Sequence, residues 1–531
     1  MSLVSYHDTN VSLVHQFTMA TNPKRFNLIF CAQGSALRIF DHLLPPLNQI
    51  IPLGQIGIYV ADQVFYDRQL AGPHNFSDFP VSWLKEWEIN QQANQIKIDR
   101  VKLQTYDELY GQPNLWPALI ADRRIFLGPL TKYKQDYSPR LSYPRMLQRL
   151  QASIERIEQF INQVKPHAII GFNMVTLDEF IFYLIARQKG IPYWQMKNAK
   201  INNLITLFPD PLRIASYLDR PRQPTISASS LNQARQYLQR AQARNSTYEG
   251  HIILKPPSLT SLFSPTIASK LIKSTIFSLL KSAHYPADHQ SAGLSAVWQF
   301  NVVKPINAIK HHRYLSLHYM SPHHLPTTSY VFFPLHTEPE IALSIYGRYH
   351  QNQIEVIRNI AQSLPVTWSL VVKDHPRSLG FRTLQYYKKL LQIPNVRLVN
   401  PYLSSWDVIE SAQAIVTISS WVGFEAIIAK KPVVTLGECT YNCLPTSMVV
   451  KNTSYSQLSA DISRAINQYH YRETDLLNHI ATVISLSFPI NMYSDVLAKP
   501  NRHFDSSAKQ SEQELWFSFA RYIVSTIHSP Q

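Results

Sequence analysis

The sequence predicts an α/β protein, and three observations support this prediction. Apolar, strand-like segments alternate with helix-like segments in both halves of the chain. In the second half, five such strands with short helical crossovers are the pattern of a doubly wound parallel sheet. The 531 residues also exceed what one hydrophobic core usually supports, so two or more domains are expected.

The first half contains a predicted βαβ unit. HAIIGFN, residues 167–173, is a continuous apolar run that suits a buried parallel strand. In the helix that follows, Thr176 and Glu179 form a capping-box pattern, and Gly190 stands at the expected end. IPYWQMK, residues 191–197, is the next predicted strand. Two earlier strands are predicted at RFNLIFCAQGS (25–35) and QIGIYVAD (55–62).

The second half repeats this alternation more clearly. Five apolar segments are predicted as buried strands: YVFFPL (330–335), WSLVVK (368–373), VRLVN (396–400), AIVTI (414–418) and PVVTL (432–436). Helices are predicted at NQIEVIRNIAQSL, LQYYKKLLQ, SSWDVIESA and VGFEAIIAK. Ligands of such sheets bind beyond the carboxyl ends of the strands, so the residues after each strand form the candidate site.

The sequence between the two halves has a different character. Gln- and Arg-rich helical sequence leads into a Pro/Ser/Thr stretch and then into IASKLIKSTIFSLLKS. This last segment places Lys270, Lys273 and Lys281 near one face of a helix. Such a helix lies on a membrane surface, or it packs on its own domain with a solvated lysine edge, which is the commoner arrangement.

The formal net charge of +16 calls for a negatively charged partner. The basic residues are spread along the chain, without an arginine-rich run or a helix-turn-helix or zinc-finger pattern, which argues against nucleic acid. An anionic substrate, an acidic lipid surface, or both explain the charge better.

The sequence predicts neither a membrane span, nor export, nor disulfides. No apolar run reaches about 18 residues, and the N-terminus lacks the basic start and apolar core of a secretory signal. Cys31, Cys439 and Cys443 cannot form a disulfide framework, and no second Cys/His pair accompanies the last two to bind zinc. We expect a cytoplasmic protein without a metal or cofactor, placed on the inner face of the plasma membrane if it binds lipid.

Polar and ionisable side chains cluster where the strands of the second half end. PLHTEPE, KDHPRS, SSWVGFE and GECTY follow the first, second, fourth and fifth strands. Ordinary turns would carry Asn, Asp or Gly there, so this clustering is the strongest functional signal in the chain. The candidate binding residues are His336, Glu338, Lys373, His375, Pro376, Arg377, Ser419, Ser420, Gly423 and Glu425.

The segment KDHPRS has the chemistry of a phosphate site. His375 can donate a proton or a hydrogen bond to a phosphate oxygen, because imidazole titrates near neutral pH. Pro376 fixes the direction of the chain. Lys373 and Arg377 add positive potential for a phosphate leaving group. Taken alone, however, a His before a Pro is more often an ordinary loop residue.

The segment SSWVGFE begins a predicted helix. Ser419 and Ser420 can cap this helix, and a helix N-terminus with hydroxyl groups binds phosphate readily. The serines alone fit a plain N-cap equally well. Gly423 would allow a ligand or backbone to approach closely. Glu425 can accept hydrogen bonds from ribose hydroxyls or simply complement the helix dipole.

PLHTEPE, VKDHP and TISSWVGFEAIIAKKPVVTLG, in this order and spacing, resemble the bacterial capsule polysaccharide synthesis family, which includes the Kdo transferases of capsule assembly. The resemblance covers about residues 326–450. It implies a GT-B glycosyltransferase with two Rossmann-like domains facing a cleft and a helical insertion. We therefore expect an N-terminal acceptor-side domain (1–235), a helical or linker insertion (236–325), a C-terminal nucleotide-sugar-binding domain (326–500), and a C-terminal helix (501–531) that packs back on the N-terminal domain.

The resemblance also implies roles for single residues. In this family and in similar GT-B sialyltransferases, the His-Pro pair contacts the nucleotide phosphate, a role that falls to His375 and Pro376. The Ser/Thr pair that binds the same phosphate corresponds to Ser419 and Ser420. The Glu after the family's glycine corresponds to Glu425.

Trp421 departs from the family pattern, in which a small hydroxyl residue usually stands before the Val-Gly. Because an indole is much larger than a hydroxyl side chain, we expect it to change either the geometry of phosphate binding or the identity of the donor. The catalytic base should come from the N-terminal domain, but the acidic pair followed by glycine of sialyltransferases does not occur. Asp178, Glu179 and Asp62 are the candidates, although the first two also fit as first-turn helix acids.

The predicted function is transfer of Kdo or another acidic sugar from a CMP donor onto a surface or capsular polysaccharide or a glycolipid. His375, Lys373 and the serine pair would neutralise the departing phosphate, so no metal is required. Three alternatives remain open: a CDP-polyol phosphotransferase of the teichoic-acid type, a nucleotide-sugar 2-epimerase, and a non-catalytic basic scaffold on nucleic acid or membrane.

Overall fold

The protein contains two seven-stranded sheets with helices packed on them, as seen in a computed structural model. The structure describes residues 25–34, 36–111, 114–128, 130–131, 134–135, 137–172, 174–219, 226–245, 254–258, 265–284, 293–320, 326, 328–338, 340–491, 496 and 512–528. The predicted α/β class with mostly parallel sheets is confirmed.

The first sheet has the order β14-β6-β5-β4-β1-β2-β3. Its strands are β1 (Phe26–Ala32), β2 (Leu53–Val60), β3 (Val81–Lys85), β4 (Ala168–Gly171), β5 (Tyr193–Asn198), β6 (Leu204–Phe208) and β14 (Ser487–Pro489). All neighbours are parallel except β6 with β5 and β14 with β6. The helices of this half are α1 (Ala36–Ile50), α2 (Gln63–Ala71), α3 (Glu86–Ala93), α4 (Arg100–Tyr110), α5 (Trp116–Ala121), α6 (Arg123–Phe126), α7 (Tyr143–Val164), α8 (Leu177–Gln188) and α9 (Ile214–Leu218).

The second sheet has the order β13-β12-β11-β8-β9-β10-β7, with all pairs parallel. Its strands are β7 (Tyr319–Met320), β8 (Tyr330–Pro334), β9 (Ser369–Lys373), β10 (Val396–Val399), β11 (Ala414–Thr417), β12 (Val433–Thr435) and β13 (Val449–Lys451). The helices between and after them are α14 (Gln353–Gln362), α15 (Leu384–Leu391), α16 (Ser405–Ser411), α17 (Trp421–Ile428) and α18 (Leu458–Asn467). All five strands predicted for this half are confirmed, and the strand order reverses between β8 and β11, where doubly wound sheets bind ligands.

The remaining helices lie between and after the two sheets. They are α10 (Ala228–Gln242), α11 (Pro265–His284), α12 (Gly293–Trp298), α13 (Lys304–Ser316), α19 (Glu473–Ser485) and α20 (Glu512–His528). Short 3₁₀ or π segments occur at Phe76–Asp78, Gln299–Val303, Ala342–Tyr346, Pro376–Ser378, Thr440–Cys443 and Tyr455–Gln457. Among the described residues, no helix is long and apolar enough to cross a membrane.

Two short strands pair with a sheet outside the predicted domain in which they lie. β7 lies within residues 236–325 and pairs with β10 of the second sheet. β14 lies within residues 326–500 and pairs with β6 of the first sheet. Helix α20 packs against α1, where Trp516 stacks on His42 with 5.2 Å between ring centroids. The second half of the chain therefore completes the first sheet.

The βαβ unit forms for the reasons read from the sequence. The Thr176 hydroxyl oxygen accepts a hydrogen bond from the Glu179 backbone N–H at 3.2 Å and starts α8. At the other end, Gly190 adopts a left-handed φ of 67°, which lets the chain turn directly into β5. β5 then pairs in parallel with β4.

The two sheets are joined by direct contacts between the domains. The Ala215 backbone N–H donates to a Glu438 carboxylate oxygen at 2.9 Å, and the Gln135 backbone N–H donates to the Phe381 carbonyl oxygen at 2.9 Å. One cluster of buried apolar side chains also includes residues of both sheets, such as Ile169 and Ile415. The elements that surround the site are therefore fixed relative to one another.

A buried ionic network stabilises the first domain. The Arg149 guanidinium donates to both Asp178 carboxylate oxygens, at 2.8 and 2.7 Å. Arg124 forms a similar double contact with Glu86, at 3.1 and 2.8 Å, and also pairs with Asp122 at 2.6 Å. Three carboxyl groups thus face two guanidinium groups, and burial raises the pKa of Glu86 to about 7.

We expect Arg149→Met to destabilise the protein by about 3–5 kcal/mol, because Asp178 would remain buried without its counter-charge. Urea unfolding followed by circular dichroism measures this change. Arg145→Met, on the exposed side of the same helix, is the matched control and should change stability by less than about 0.5 kcal/mol. Equal stability of the two variants would contradict the assigned role of Arg149.

Candidate functional site

The candidate site lies at the carboxyl ends of β8, β9 and β11, where the strand order of the second sheet reverses. A hydrogen bond joins the loops after β8 and β11: the Ser419 backbone N–H donates to His336 Nε2 at 3.1 Å. Two segments singled out from the sequence, PLHTEPE and SSWVGFE, are therefore in direct contact.

A buried arginine joins the loops after β8 and β9. The Arg382 guanidinium is 1% exposed, pairs with Asp374 and donates to the His336 carbonyl oxygen at 2.6 Å. Asp374 accepts two further hydrogen bonds, from the His375 backbone N–H at 2.7 Å and from the Tyr387 hydroxyl at 2.6 Å. Asp374 thus orients the start of the His-Pro turn.

His375 is held as a neutral hydrogen-bond donor. Its Nδ1 accepts from the Arg377 backbone N–H at 3.1 Å, so the ring proton resides on Nε2. The side chain is exposed, but partial loss of water still lowers the pKa of His375. The negative charge of Asp374 raises this pKa, and the positive charges of Arg377, Lys373 and Arg382 lower it further. Pro376 begins the short 3₁₀ turn that points the chain away from the strand. The exposed Arg377 follows within this turn.

Lys373 and Glu425 provide opposite charges at this site. Lys373 is buried, which lowers the pKa of its ammonium, while Glu425 and Asp374 oppose this shift. Burial raises the pKa of Glu425 to about 7, against the opposing effects of Lys373 and Lys200. Glu425 therefore changes its charge within the physiological pH range, and the net charge of the site changes with it.

The two serines differ in what they can offer a ligand. The Ser419 hydroxyl donates to the Glu438 carbonyl oxygen at 2.7 Å, so its proton is already engaged. The Ser420 hydroxyl oxygen caps α17 by accepting from the Val422 N–H at 3.2 Å. Because capping uses only the oxygen, the Ser420 hydroxyl proton can be donated to a ligand.

Gly423 permits a close approach by protein rather than by a ligand. A Cβ atom at this position would lie 2.3 Å from the Tyr441 hydroxyl oxygen. That hydroxyl donates to the Ser420 carbonyl oxygen at 2.5 Å. Gly423 therefore supports the helix start through Tyr441, and its predicted place among the donor-binding residues is corrected to a supporting one.

Glu338 is also corrected, since both of its carboxylate oxygens are already engaged. One oxygen accepts from Gln353 at 2.5 Å, and the other accepts from Tyr137 at 2.8 Å and Gln135 at 2.9 Å. The Gln353 side-chain amide also accepts a hydrogen bond from the His336 backbone N–H and donates one to the His336 carbonyl oxygen. Glu338 therefore joins this loop to the first domain, and its three hydrogen bonds to protein groups indicate a supporting role.

The two predicted catalytic acids lie in the interior of the first domain. Asp178 is 0% exposed and bound on both oxygens by Arg149. Glu179 is 1% exposed and accepts from the Tyr193 hydroxyl at 3.2 Å. A general base must reach the acceptor hydroxyl, so this geometry gives both acids structural roles. Asp62, the third candidate, caps α2 by accepting from the Phe65 N–H at 3.1 Å.

Sequence reasoning missed two lysines that the first domain brings to this site. Lys197, near the end of β5, places Nζ 4.1 Å from the centroid of the Tyr346 ring, and burial lowers its pKa to about 7. Lys200, in the loop after β5, places Nζ 5.7 Å from the centroid of the Trp421 ring. Both lie at the carboxyl end of a parallel strand, so the rule applied to the second sheet would have found them in the first.

No cluster suited to a metal ion accompanies these residues. Among the described residues, no group of three or more His, Cys, Asp and Glu side chains is arranged to hold one. Cys443 instead lies with its Sγ 3.3 Å from Nδ1 of the buried His479. The positive charge at the site comes from side chains: Lys373, Arg377, Lys197 and Lys200.

The chain matches a known family over part of its length. Residues 264–476 match the family model described as capsule polysaccharide biosynthesis protein. The predicted family is confirmed by this match, which includes all the candidate residues of the second sheet. Protein FixF of Sinorhizobium fredii (strain NBRC 101917 / NGR234) is 27% identical over 141 residues, which are 25% of this chain and 32% of that protein. The match thus spans about a third of the length of this curated relative.

The solved structures that match this chain include two of Thermosulfurimonas dismutans KpsC. The β-Kdo 2,4 transferase is 12% identical and covers 60% of this chain and 87% of its own, with a TM-score of 0.34. The β-Kdo 2,7 transferase is 12% identical and covers 59% and 80%, with a TM-score of 0.28. A UDP-GlcNAc 2-epimerase from Neisseria meningitidis is also 12% identical and covers 86% and 98%, with a TM-score of 0.27.

Anion binding at the site should weaken as pH rises through about 7, because Glu425 then becomes negatively charged beside Lys373 and Lys200. If a bound anion raises the pKa of Glu425 by about one unit, affinity falls about fivefold between pH 6 and pH 8. Sulfate, whose charge is constant over this range, is the probe for titration calorimetry. Glu425→Gln should remove its part of this decrease and leave the part that is due to Lys197, which loses its positive charge over the same pH range. An unchanged profile in this variant would exclude Glu425 as the cause.

Proposed function

We propose, from its membership of the capsule polysaccharide biosynthesis family through residues 264–476, that this chain is a glycosyltransferase. It moves a sugar, Kdo or another acidic sugar, from a CMP donor onto a capsular polysaccharide or glycolipid acceptor. The observation that carries this proposal is the group of cationic and hydrogen-bond-donating side chains at the switch point: Lys373, His375 Nε2 and the Ser420 hydroxyl.

The arrangement supports departure of a nucleotide phosphate. As the bond between the sugar and the phosphate breaks, negative charge accumulates on the phosphate oxygens. Lys373 opposes this charge, and His375 and Ser420 can each donate a hydrogen bond to it. These donors are fixed before the reaction by Asp374 and by the cap of α17, so little reorganisation is needed when the charge develops. The side chains therefore supply the charge stabilisation without a metal.

Two other enzyme classes use similar chemistry at the phosphate. A CDP-polyol phosphotransferase would bind CDP-glycerol in preference to CMP-sugars. A nucleotide-sugar 2-epimerase would convert its donor without any acceptor. A thermal-shift screen against CMP, CDP, UDP and GDP, followed by incubation of the best donor with and without a glycan acceptor, separates all three.

His375→Ala should lower kcat by about a hundredfold or more, because one donor to the developing phosphate charge is lost. Transfer of sugar from the donor chosen by the thermal-shift screen is the measurement. His318→Ala, which removes an exposed imidazole whose Nδ1 faces its own helix, is the control and should leave kcat unchanged. Full activity in His375→Ala would favour the non-catalytic scaffold and contradict the site.

The proposed acceptor lies at a membrane, and helix α11 presents a surface that fits one. Four of its large apolar side chains recur at helical spacing and are each half or more exposed: Ile272, Ile276, Leu279 and Leu280. Lys273 is exposed beside them, whereas the side chains of Lys270 and Lys281 lie outside the described residues. With the net charge of +16, this surface matches an anionic lipid bilayer. We therefore include peripheral contact with the inner face of the plasma membrane in the proposal.

Ile276→Glu should reduce binding to anionic vesicles by about tenfold, because it replaces a buried apolar contact with a repelled charge. Flotation with phosphatidylglycerol vesicles, compared with phosphatidylcholine vesicles, measures the binding. Val366→Glu is the matched control, since Val366 is 99% exposed but belongs to the second domain away from α11. Failure of the unmodified protein to bind anionic vesicles, or equal binding by both variants, would contradict the membrane surface.

A further inference from the structure

The loop between β5 and β6, residues 199–203, carries a first-domain lysine to the proposed donor site. The Lys200 ammonium stands over the indole of Trp421, the first residue of α17. The charge of Lys200 lowers the pKa of Glu425 on that helix and of His336 after β8. Lys200 therefore lies within electrostatic reach of both loops that flank the switch point.

The loop has an unusual backbone conformation at Lys200, which hydrogen bonds help to hold. Lys200, Asn202 and Asn203 all have left-handed φ values, of 59°, 48° and 55°. Asn adopts such values readily, as in the turns of β-hairpins, whereas for Lys200 the value is unfavourable and persists only where surrounding contacts impose it. Two of these contacts are the Lys200 N–H donating to Asn198 Oδ1 at 2.6 Å and Arg240 donating to Asn202 Oδ1 at 2.5 Å. The loop is thus built to hold Lys200 in place.

The positive charge in this part of the cleft exceeds the negative charge available to it. Among the described residues, the Lys200, Lys197 and Lys373 ammonium groups form no ion pair, although each loses water on burial, which lowers the pKa of all three. Glu340 and, less strongly, Glu425 act on Lys200, and Glu438, which pairs with Lys451, acts on Lys197. With Arg377 and Lys451 counted, these three carboxyl groups offset only part of the positive charge. His336 Nδ1 is also buried without an acceptor in the described part of the chain. An anionic ligand would satisfy these groups.

We propose that Lys200 is a donor-binding residue contributed by the first domain, whose ammonium contacts the anionic group of the nucleotide sugar together with Lys373 and His375. The inference rests on the proposed function. Trp421 fixes the position of the Lys200 ammonium through the face of its ring, which gives this large side chain a role at the helix start. The donor site is complete only when both domains contribute to it, so donor binding stabilises their contact.

Titration calorimetry on the full chain tests this inference with CMP-, CDP- and UDP-sugars and with pyrophosphate. Lys200→Gln should weaken binding of the tightest ligand by about tenfold or more, since a charge-assisted contact is lost. Lys189→Gln, an exposed lysine at the end of α8, is the matched control and should bind as the unmodified protein does. The difference between Lys200→Gln and the unmodified protein should shrink in about 0.5 M salt, because screening weakens the lost interaction. A merely structural role would not show this dependence on salt.

The outcomes separate this inference from the proposed function. Equal affinities for Lys200→Gln and the unmodified protein, or a loss that does not change with salt, overturn the role of Lys200 alone. Binding of pyrophosphate but of no nucleotide sugar overturns the proposed function. The role of Lys200 is then tested by comparing the pyrophosphate affinities of Lys200→Gln and the unmodified protein. Binding of none of these ligands overturns both.

Discussion

The site depends on the buried guanidinium of Arg382. It pairs with Asp374 after β9 and bonds the His336 carbonyl after β8, so two strand ends are locked together by one side chain. A buried charge that loses its partner costs several kcal/mol, which makes this arrangement difficult to deform. Asp374 in turn accepts a hydrogen bond from the His375 backbone N–H, and His336 accepts one from the Ser419 backbone N–H, so both loops are held in place. The functional groups are thus oriented by contacts that no ligand needs to make.

The rigid frame supports a surplus of positive charge. Lys373 and His375 come from the second domain, whereas Lys197 and Lys200 come from the first. Glu425 is the carboxyl group with the largest effect on the pKa of Lys373, and burial raises the pKa of Glu425 itself to about 7. A surplus of positive charge attracts anions, and here it comes from residues of both domains.

Much of the fold was predictable, because buried parallel strands are long apolar runs separated by capped helices. β8 to β12 and the unit β4–α8–β5 are confirmed. Five strands were not predicted. β7, β13 and β14 have two or three residues each, too few to show a periodicity, whereas β3 and β6 have five residues each and were not recognised. In the site, the predicted phosphate-binding role of His375 and Ser420 follows from their places after strands. Sequence could not show that Glu338, Gly423 and Asp178 already have protein partners, since those partners are distant in the chain.

The sequence by itself determined the α/β class, the strand ends that carry polar side chains, and the similarity of residues 264–476 to the capsule polysaccharide biosynthesis family. These features are local, since each follows from residue spacing within one or two elements. Only the tertiary structure decided which of the side chains remain available, because hydrogen bonds such as Tyr441 to Ser420 and Arg149 to Asp178 form across large sequence separations. It also brought Lys200 to Trp421, a contact between residues 221 positions apart that depends on how two separate sheets pack.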